Sequence, residues 1–104
     1  MALVKNIYLL SAGFPSEEKF GLASQMRRPA VSIPSNIAEG QASNTTEEFI
    51  QFLAISQGSL AELETQLILA GELGFCLVES TAQISADILQ LRKMLYALCK
   101  SLSS

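Results

Sequence analysis

The longest helical pattern in the sequence runs from residue 49 to residue 70. Its apolar and small residues recur at spacings of three and four, which is the period of one face of an α-helix. A helix of about six turns with a single such face must pack that face against other helices. No run of residues shows the alternating period of a strand. The residues of this stripe are Phe49, Phe52, Ser56, Leu60, Leu63, Leu67 and Ala70.

The residues that flank the helical segments fit helix ends. Asn44 or Thr45 can cap the start of the long helix, and Gly71 and Gly74 can end it. Ser16 is followed by two glutamates, which the positive end of a helix dipole favours, so a second helix is expected to begin at Ser16. These signals predict helices joined by short turns.

Two further segments carry apolar stripes. The first, with Leu3, Ile7 and Leu10, is short because Gly13 and Pro15 follow it closely. The sequence therefore predicts an all-α fold, an up-and-down antiparallel four-helix bundle with a short first helix, formed by residues 1–104 as one domain. The stripe of the last segment consists of Ile84, Ile88, Leu91, Leu95, Leu98 and Leu102.

The segment QMRRPAVSIPSNIAEG, residues 25–40, contains two prolines and still has helical periodicity. An apolar stripe and a polar stripe run along it at helical spacing, so we predict a helix kinked at Pro29 and Pro34. The polar stripe is expected to form hydrogen bonds within the bundle or across a subunit interface. The alternative is a ligand-facing groove built on its Arg, Asn and Glu side chains. The polar stripe is Gln25, Arg28, Ser32, Asn36 and Glu39.

The composition favours self-association. Hydrophobic residues make up 49% of the chain and charged residues only 16%, against about 25% charged in an ordinary soluble domain. Such a chain must bury surface elsewhere, and copies of itself are the favoured partner because no apolar stretch is long enough to span a membrane. A cytoplasmic location is the expectation.

The sequence predicts that the protein is not an enzyme. It has no histidine, which removes the common nucleophile pairs and most zinc sites. Glu62 and Glu64 do not face each other on a helix, so a carboxylate metal site would need residues from several helices. Cys76 and Cys99 each lie at an apolar position of a predicted helix, where a free cysteine acts as a small hydrophobic residue. We therefore predict no catalytic residue, no metal and no cofactor.

Three sequence blocks together resemble a known family. They are FPSEEKFGLASQM, RRPAVSIPSNIAEG and GSLAELETQLILA, in this order, and they resemble the four-helix-bundle proteins encoded in intervening sequences of 23S rRNA genes. The resemblance implies a ring-shaped homopentamer with no enzymatic activity and no established molecular function. An accessory protein of diversity-generating retroelements is similar in fold, and it is a strongly basic pentamer that binds nucleic acid and a reverse transcriptase.

Two functional hypotheses follow. The first is a non-catalytic, homo-oligomeric interaction or scaffold protein. The second is a nucleic-acid-associated accessory protein that binds RNA, DNA or a reverse transcriptase through basic residues gathered by ring symmetry. The net charge of −3 and the isoelectric point of about 4.8 weigh against the second, because lysine and arginine carry affinity for phosphate. Its candidate contacts are Arg27, Arg28, Arg92 and Lys93.

Overall fold

The computed structural model describes residues 1–103, and within them the chain forms four α-helices. They are α1 (Ala2–Ala12), α2 (Leu22–Gln41), α3 (Thr46–Glu72) and α4 (Val78–Ser103), with a 3₁₀ turn at Ser16–Glu18 between the first two. Each helix packs against its two neighbours in a closed cycle, so α1 and α3, like α2 and α4, lie diagonally opposite. The bundle measures 44 × 23 × 18 Å. The predicted all-α four-helix bundle is confirmed.

The start of α2 differs from the prediction. Ser16 does not cap α2, because the chain makes only a 3₁₀ turn at this point, and α2 begins six residues later at Leu22. Gly21 precedes the helix with φ of −100° and ψ of −116°. The Glu18 carboxylate accepts a hydrogen bond from the Leu22 amide at 3.3 Å. Glu18 therefore caps α2 from the preceding turn, because its carboxylate accepts from one of the free amides of the first helical turn.

Both ends of α3 agree with the sequence signals. The Thr45 hydroxyl accepts a hydrogen bond from the Glu48 amide at 3.1 Å, which is the expected cap. At the other end Gly74 adopts a φ of +75°, a conformation that residues with a Cβ rarely adopt. The Phe75 amide then donates to the Ala70 carbonyl at 2.9 Å, as in a Schellman motif.

The core lies between the four apolar stripes and follows the predicted pattern with small shifts. Leu53 is fully buried although the predicted stripe passed through Phe52, which is only half-buried. Leu98 belongs to the predicted stripe of α4 but is exposed, because the start of α1 lies beside Leu91 and Met94 and α4 continues beyond it. The buried apolar residues are Leu3, Ile7, Phe14, Leu22, Ala23, Met26, Ala30, Ile33, Leu53, Leu60, Leu63, Leu67, Ala70, Ile84, Ile88 and Leu95.

Helix α2 passes through both prolines as one helix and packs closely on α3 at its end. A Cβ placed on Gly40 would lie 2.6 Å from the Phe49 ring and 3.0 Å from the Cβ of Phe52. Gly58, in the interior of α3, has no atom within 4 Å of the position that a Cβ would take and faces open space. Within residues 1–103, none of the helices combines the length and the apolar character that crossing a membrane requires.

Candidate functional site

Only the middle of the predicted polar stripe on α2 lies against α3. Asn36 and Ser32 are half-buried, and the Asn36 amide donates to the Ser32 carbonyl at 2.8 Å and to the Ser32 hydroxyl at 2.9 Å. Across the seam, the Ser59 hydroxyl of α3 donates to the Ser32 hydroxyl at 3.0 Å. Gln25, Arg28 and Glu39 are exposed. The middle of the stripe thus forms hydrogen bonds within the bundle, while its two ends face solvent.

The turn that precedes Pro34 receives several side-chain hydrogen bonds. Ser35 donates to the Val31 carbonyl at 2.9 Å, and Ser56 of α3 donates to the Ile33 carbonyl at 3.0 Å. Ser56 is fully buried, so this bond joins the two helices inside the core. Together with the Asn36 bond, three consecutive carbonyls of α2 accept from side chains. Pro34 removes the backbone donor of the Ala30 carbonyl, four residues earlier, so these three bonds strengthen the adjacent carbonyls of the turn and do not replace the lost bond.

Arg27 connects α2 to α1. Its guanidinium carbon lies 4.7 Å from the centre of the Tyr8 ring, and its Nε donates to the Ser11 hydroxyl at 2.8 Å. One terminal nitrogen also donates to the Tyr8 carbonyl at 3.4 Å. Ser11 in turn donates to the Ile7 carbonyl at 2.7 Å. Arg27 is therefore already held by a cation–π contact and hydrogen bonds within the chain.

Arg92 forms an ion pair across the α3–α4 seam. Its two terminal nitrogens lie 2.9 and 3.5 Å from the two carboxylate oxygens of Glu64. Arg28 and Lys93 are exposed and have no ion pair with any residue from 1 to 103. Since α2 and α4 are diagonal, one chain does not bring the two basic dipeptides together.

The described residues form no metal-binding cluster, and the groove between α1 and α4 has an uncharged lining. Within residues 1–103 no three histidine, cysteine, aspartate or glutamate side chains lie close enough to hold a metal ion. Both cysteines are free. Cys76 lies in the loop between α3 and α4 and not on a helix, and burial raises the pKa of its thiol. A groove of about 430 Å³ between α1 and α4 has no ionisable group in its lining, which is Asn6, Leu9, Leu10, Ser80, Gln83 and Ile84.

One face of the bundle exposes large apolar side chains on both of its helices. We call Ile68 of α3 together with Val78, Leu89 and Tyr96 of α4 the α3–α4 apolar face. Each of the four is 48–72% exposed. Two hollows of about 340 and 380 Å³ open between the two helices on this side of the bundle. The face therefore combines exposed apolar surface with concave shape.

The sequence analysis did not find this face. The three α4 residues recur at spacings of eleven and seven, which place them on one side of a helix. They form a second apolar stripe on α4 beside the core stripe. Counting every apolar position on the helix, rather than only the stripe that forms the core, would have detected it.

The fold defines the class of protein: a small four-helix bundle. The sequence model of the 23S rRNA-intervening sequence protein family matches residues 1–97, and the chain belongs to that family. The resemblance seen in the sequence is thereby confirmed.

A solved structure agrees with this assignment. The chain is similar to the crystal structure of a protein of unknown function from the S23 ribosomal protein family of Bacteroides thetaiotaomicron. The two share 25% sequence identity and a TM-score of 0.82, over 93% of this chain and 88% of the other. No functionally curated protein matches the chain.

Proposed function

We propose that the protein is a non-catalytic, homo-oligomeric helical bundle that acts as an interaction or scaffold module in the cytoplasm. The α3–α4 apolar face is the observation that carries this proposal. Monomeric soluble proteins rarely expose large continuous apolar patches, and such patches mark surfaces that bind other proteins. A partner that covers this face removes apolar surface from water, and that burial stabilises the complex.

A ring of five copies is the proposed assembly, and it rests on the family resemblance. In a ring, each copy presents two different surfaces to its two neighbours. The α3–α4 apolar face is proposed as one of these surfaces. Arg92 and Tyr96 on this side of α4 fit such a role, because arginine and aromatic residues are enriched at protein interfaces.

The proposal of a non-catalytic role rests on the side chains available. The sequence has no histidine, the side chain most often used in general acid–base catalysis. Within residues 1–103 no three histidine, cysteine, aspartate or glutamate side chains are grouped so that they could hold a catalytic metal ion.

Light scattering coupled to size-exclusion chromatography tests the proposal. One chain has a mass of 11.2 kDa, and a ring of five has a mass of about 56 kDa. Replacing Leu89 by Glu puts a charge into the α3–α4 apolar face and is expected to lower the mass. Replacing the neighbouring Gln90 by Glu adds the same charge on another side of α4 and serves as the matched control. A wild-type chain that stays monomeric at micromolar concentration would contradict the proposal.

A second candidate function is binding of RNA or DNA. It is favoured by the exposure of Arg28 and Lys93, which have no acidic partner within residues 1–103 and are free to meet phosphate. Arg27 and Arg92 make contacts within the chain that such binding would have to replace. An electrophoretic mobility assay at low and moderate salt tests this function. Absence of a mobility shift at low salt rules out nucleic-acid binding. If the wild-type chain gives a shift, the double variant Arg28→Ala, Lys93→Ala must lose it.

A further inference from the structure

The outer side of α2 has opposite charges at its two ends. Arg28 and Glu39 are both exposed, and neither has an ion pair with any residue from 1 to 103. Between them the exposed side chains are small or apolar and include Val31 and Ser35. Small residues between two charges leave this surface flat enough for another helix to approach closely.

The spacing prevents the two charges from meeting within one chain. They are eleven residues apart on one helix, which is about 16.5 Å along the axis and only about 20° around it. They therefore share one face but are too far apart to pair. A second α2 that lies antiparallel on the first, crossing between Ile33 and Pro34, brings each Arg28 opposite the Glu39 of the other copy.

Two exposed apolar side chains flank the middle of this surface. Val31 is 42% exposed, and Ile55 of α3 is 51% exposed. Ile55 lies one turn before Ser59 on the same side of α3, and Ser59 bonds to Ser32 in the middle of α2. Ile55 therefore lies beside the centre of α2. Exposed apolar side chains bordered by charged ones are typical of a protein interface.

We infer that the outer side of α2, with Ile55, binds the same surface of a second copy of this chain in antiparallel orientation. The occupant is a second copy because the charge pattern is complementary to itself when reversed, so one contact forms two Arg28–Glu39 pairs. The inference rests on the proposed self-association and adds a second contact to it. A two-fold contact uses identical surfaces whereas a ring uses different ones, so the α2 contact joins two chains or two rings.

Charge reversal tests this inference. We would compare the wild-type chain with Arg28→Glu, with Glu39→Arg and with the double variant, using sedimentation over a range of protein concentrations. The wild-type mass is expected to double as the concentration rises. Each single variant is expected to weaken that doubling about tenfold or more, because it places like charges opposite each other. The double variant is expected to restore it, and since the two residues cannot meet within one chain, such rescue must come from contact between copies.

Controls separate the inference from other effects. Lys93→Glu changes the charge by the same amount on the diagonal helix α4 and is expected to leave the doubling unchanged. Circular dichroism confirms that each variant is folded. If a reversal prevents folding, Arg28→Gln and Glu39→Gln remove the attraction without repulsion and are expected to weaken the doubling by a smaller factor.

The possible failures are distinguishable. A wild-type chain that is monomeric at every concentration overturns both the proposed self-association and the α2 contact. A stable oligomer whose mass never doubles, or doubles equally well in Arg28→Glu, overturns the α2 contact and leaves the self-association standing. Failure of the double variant to restore the doubling also overturns the α2 contact. If Arg28→Glu loses nucleic-acid binding while its mass at every concentration stays that of the wild type, Arg28 is assigned to nucleic-acid binding and the α2 contact is overturned.

Discussion

The contact between α2 and α3 at Gly40 leads to a prediction with a defined sign. Gly40 lies in the last turn of α2 and is buried against Phe49 and Phe52. Alanine is favoured over glycine within a helix by about 1 kcal/mol, so helix propensity alone predicts that Gly40→Ala stabilises the protein. The structure predicts the opposite, because a Cβ would lie 2.6 Å from the Phe49 ring and 3.0 Å from the Cβ of Phe52.

The magnitude follows from the cost of the steric conflict. The Cβ of Phe52 is attached to the backbone and cannot move aside alone, so relief requires a shift of α3 or a strained rotamer. Overpacking of this kind costs about 1–3 kcal/mol, and the propensity gain is reduced at the end of a helix. We therefore expect Gly40→Ala to lower the free energy of unfolding by about 1–2 kcal/mol.

Gly58→Ala is the matched control. Gly58 lies in the interior of α3, is exposed, and has no neighbouring atom within 4 Å of a Cβ. The same substitution is expected to raise the free energy of unfolding by up to about 1 kcal/mol. For a chain of about 100 residues, 1 kcal/mol corresponds to a shift in Tm of about 4–8 °C, so the two variants should separate by about 10 °C.

Thermal unfolding followed by circular dichroism, at one fixed protein concentration, measures the difference between the two variants. The fixed concentration matters because self-association adds to apparent stability. If Gly40→Ala proves as stable as Gly58→Ala, α2 and α3 are not packed as closely as the structure places them, and the argument from the Phe49 ring fails.

Three further changes test other contacts by chemical unfolding. The side-chain oxygen of Gln66 is buried with no hydrogen-bond partner within residues 1–103, so Gln66→Met is expected to stabilise the chain by about 1 kcal/mol, and a loss of stability would reveal a partner for that oxygen in solution. Arg27→Ala removes the stacking on Tyr8 and the hydrogen bond to Ser11 and is expected to cost about 1–2 kcal/mol, whereas Arg28→Ala, measured below the concentration of association, should be neutral; equal effects would contradict the contacts of Arg27. Thr45→Ala removes the cap of α3 and should cost about 1 kcal/mol, while Thr45→Ser should retain most of the stability.

The sequence was most informative about the helices with long stripes and clear ends. The cap at Thr45 and the glycine end of α3 were predicted because each depends on a few adjacent residues. The start of α2 was placed too early because Ser16 and its glutamates have the composition of a helix start. Gly21 and the side chain of Glu18 decide the actual start, and this depends on how the turn closes back on the helix.

The surfaces were harder to predict than the core. The polar stripe of α2 was recognised, but its division into a bonded middle and exposed ends depends on where Ser59 of α3 lies. The contact of Arg27 with Tyr8 was not predicted, because the two residues are nineteen positions apart and meet only when α1 folds against α2. The assembly of copies and the role of the α2 surface stay predictions.

The sequence by itself determined the all-α class, the family, the core stripes and the absence of histidine chemistry, because periodicity and composition are local properties of the chain. Only the tertiary structure decided which charges remain unpaired, which glycine is a close contact, and which apolar side chains stay exposed on α3 and α4. Those features depend on how helices far apart in sequence rotate and align against one another. Small differences in rotation change which residues are buried at a seam without changing the pattern that forms each helix.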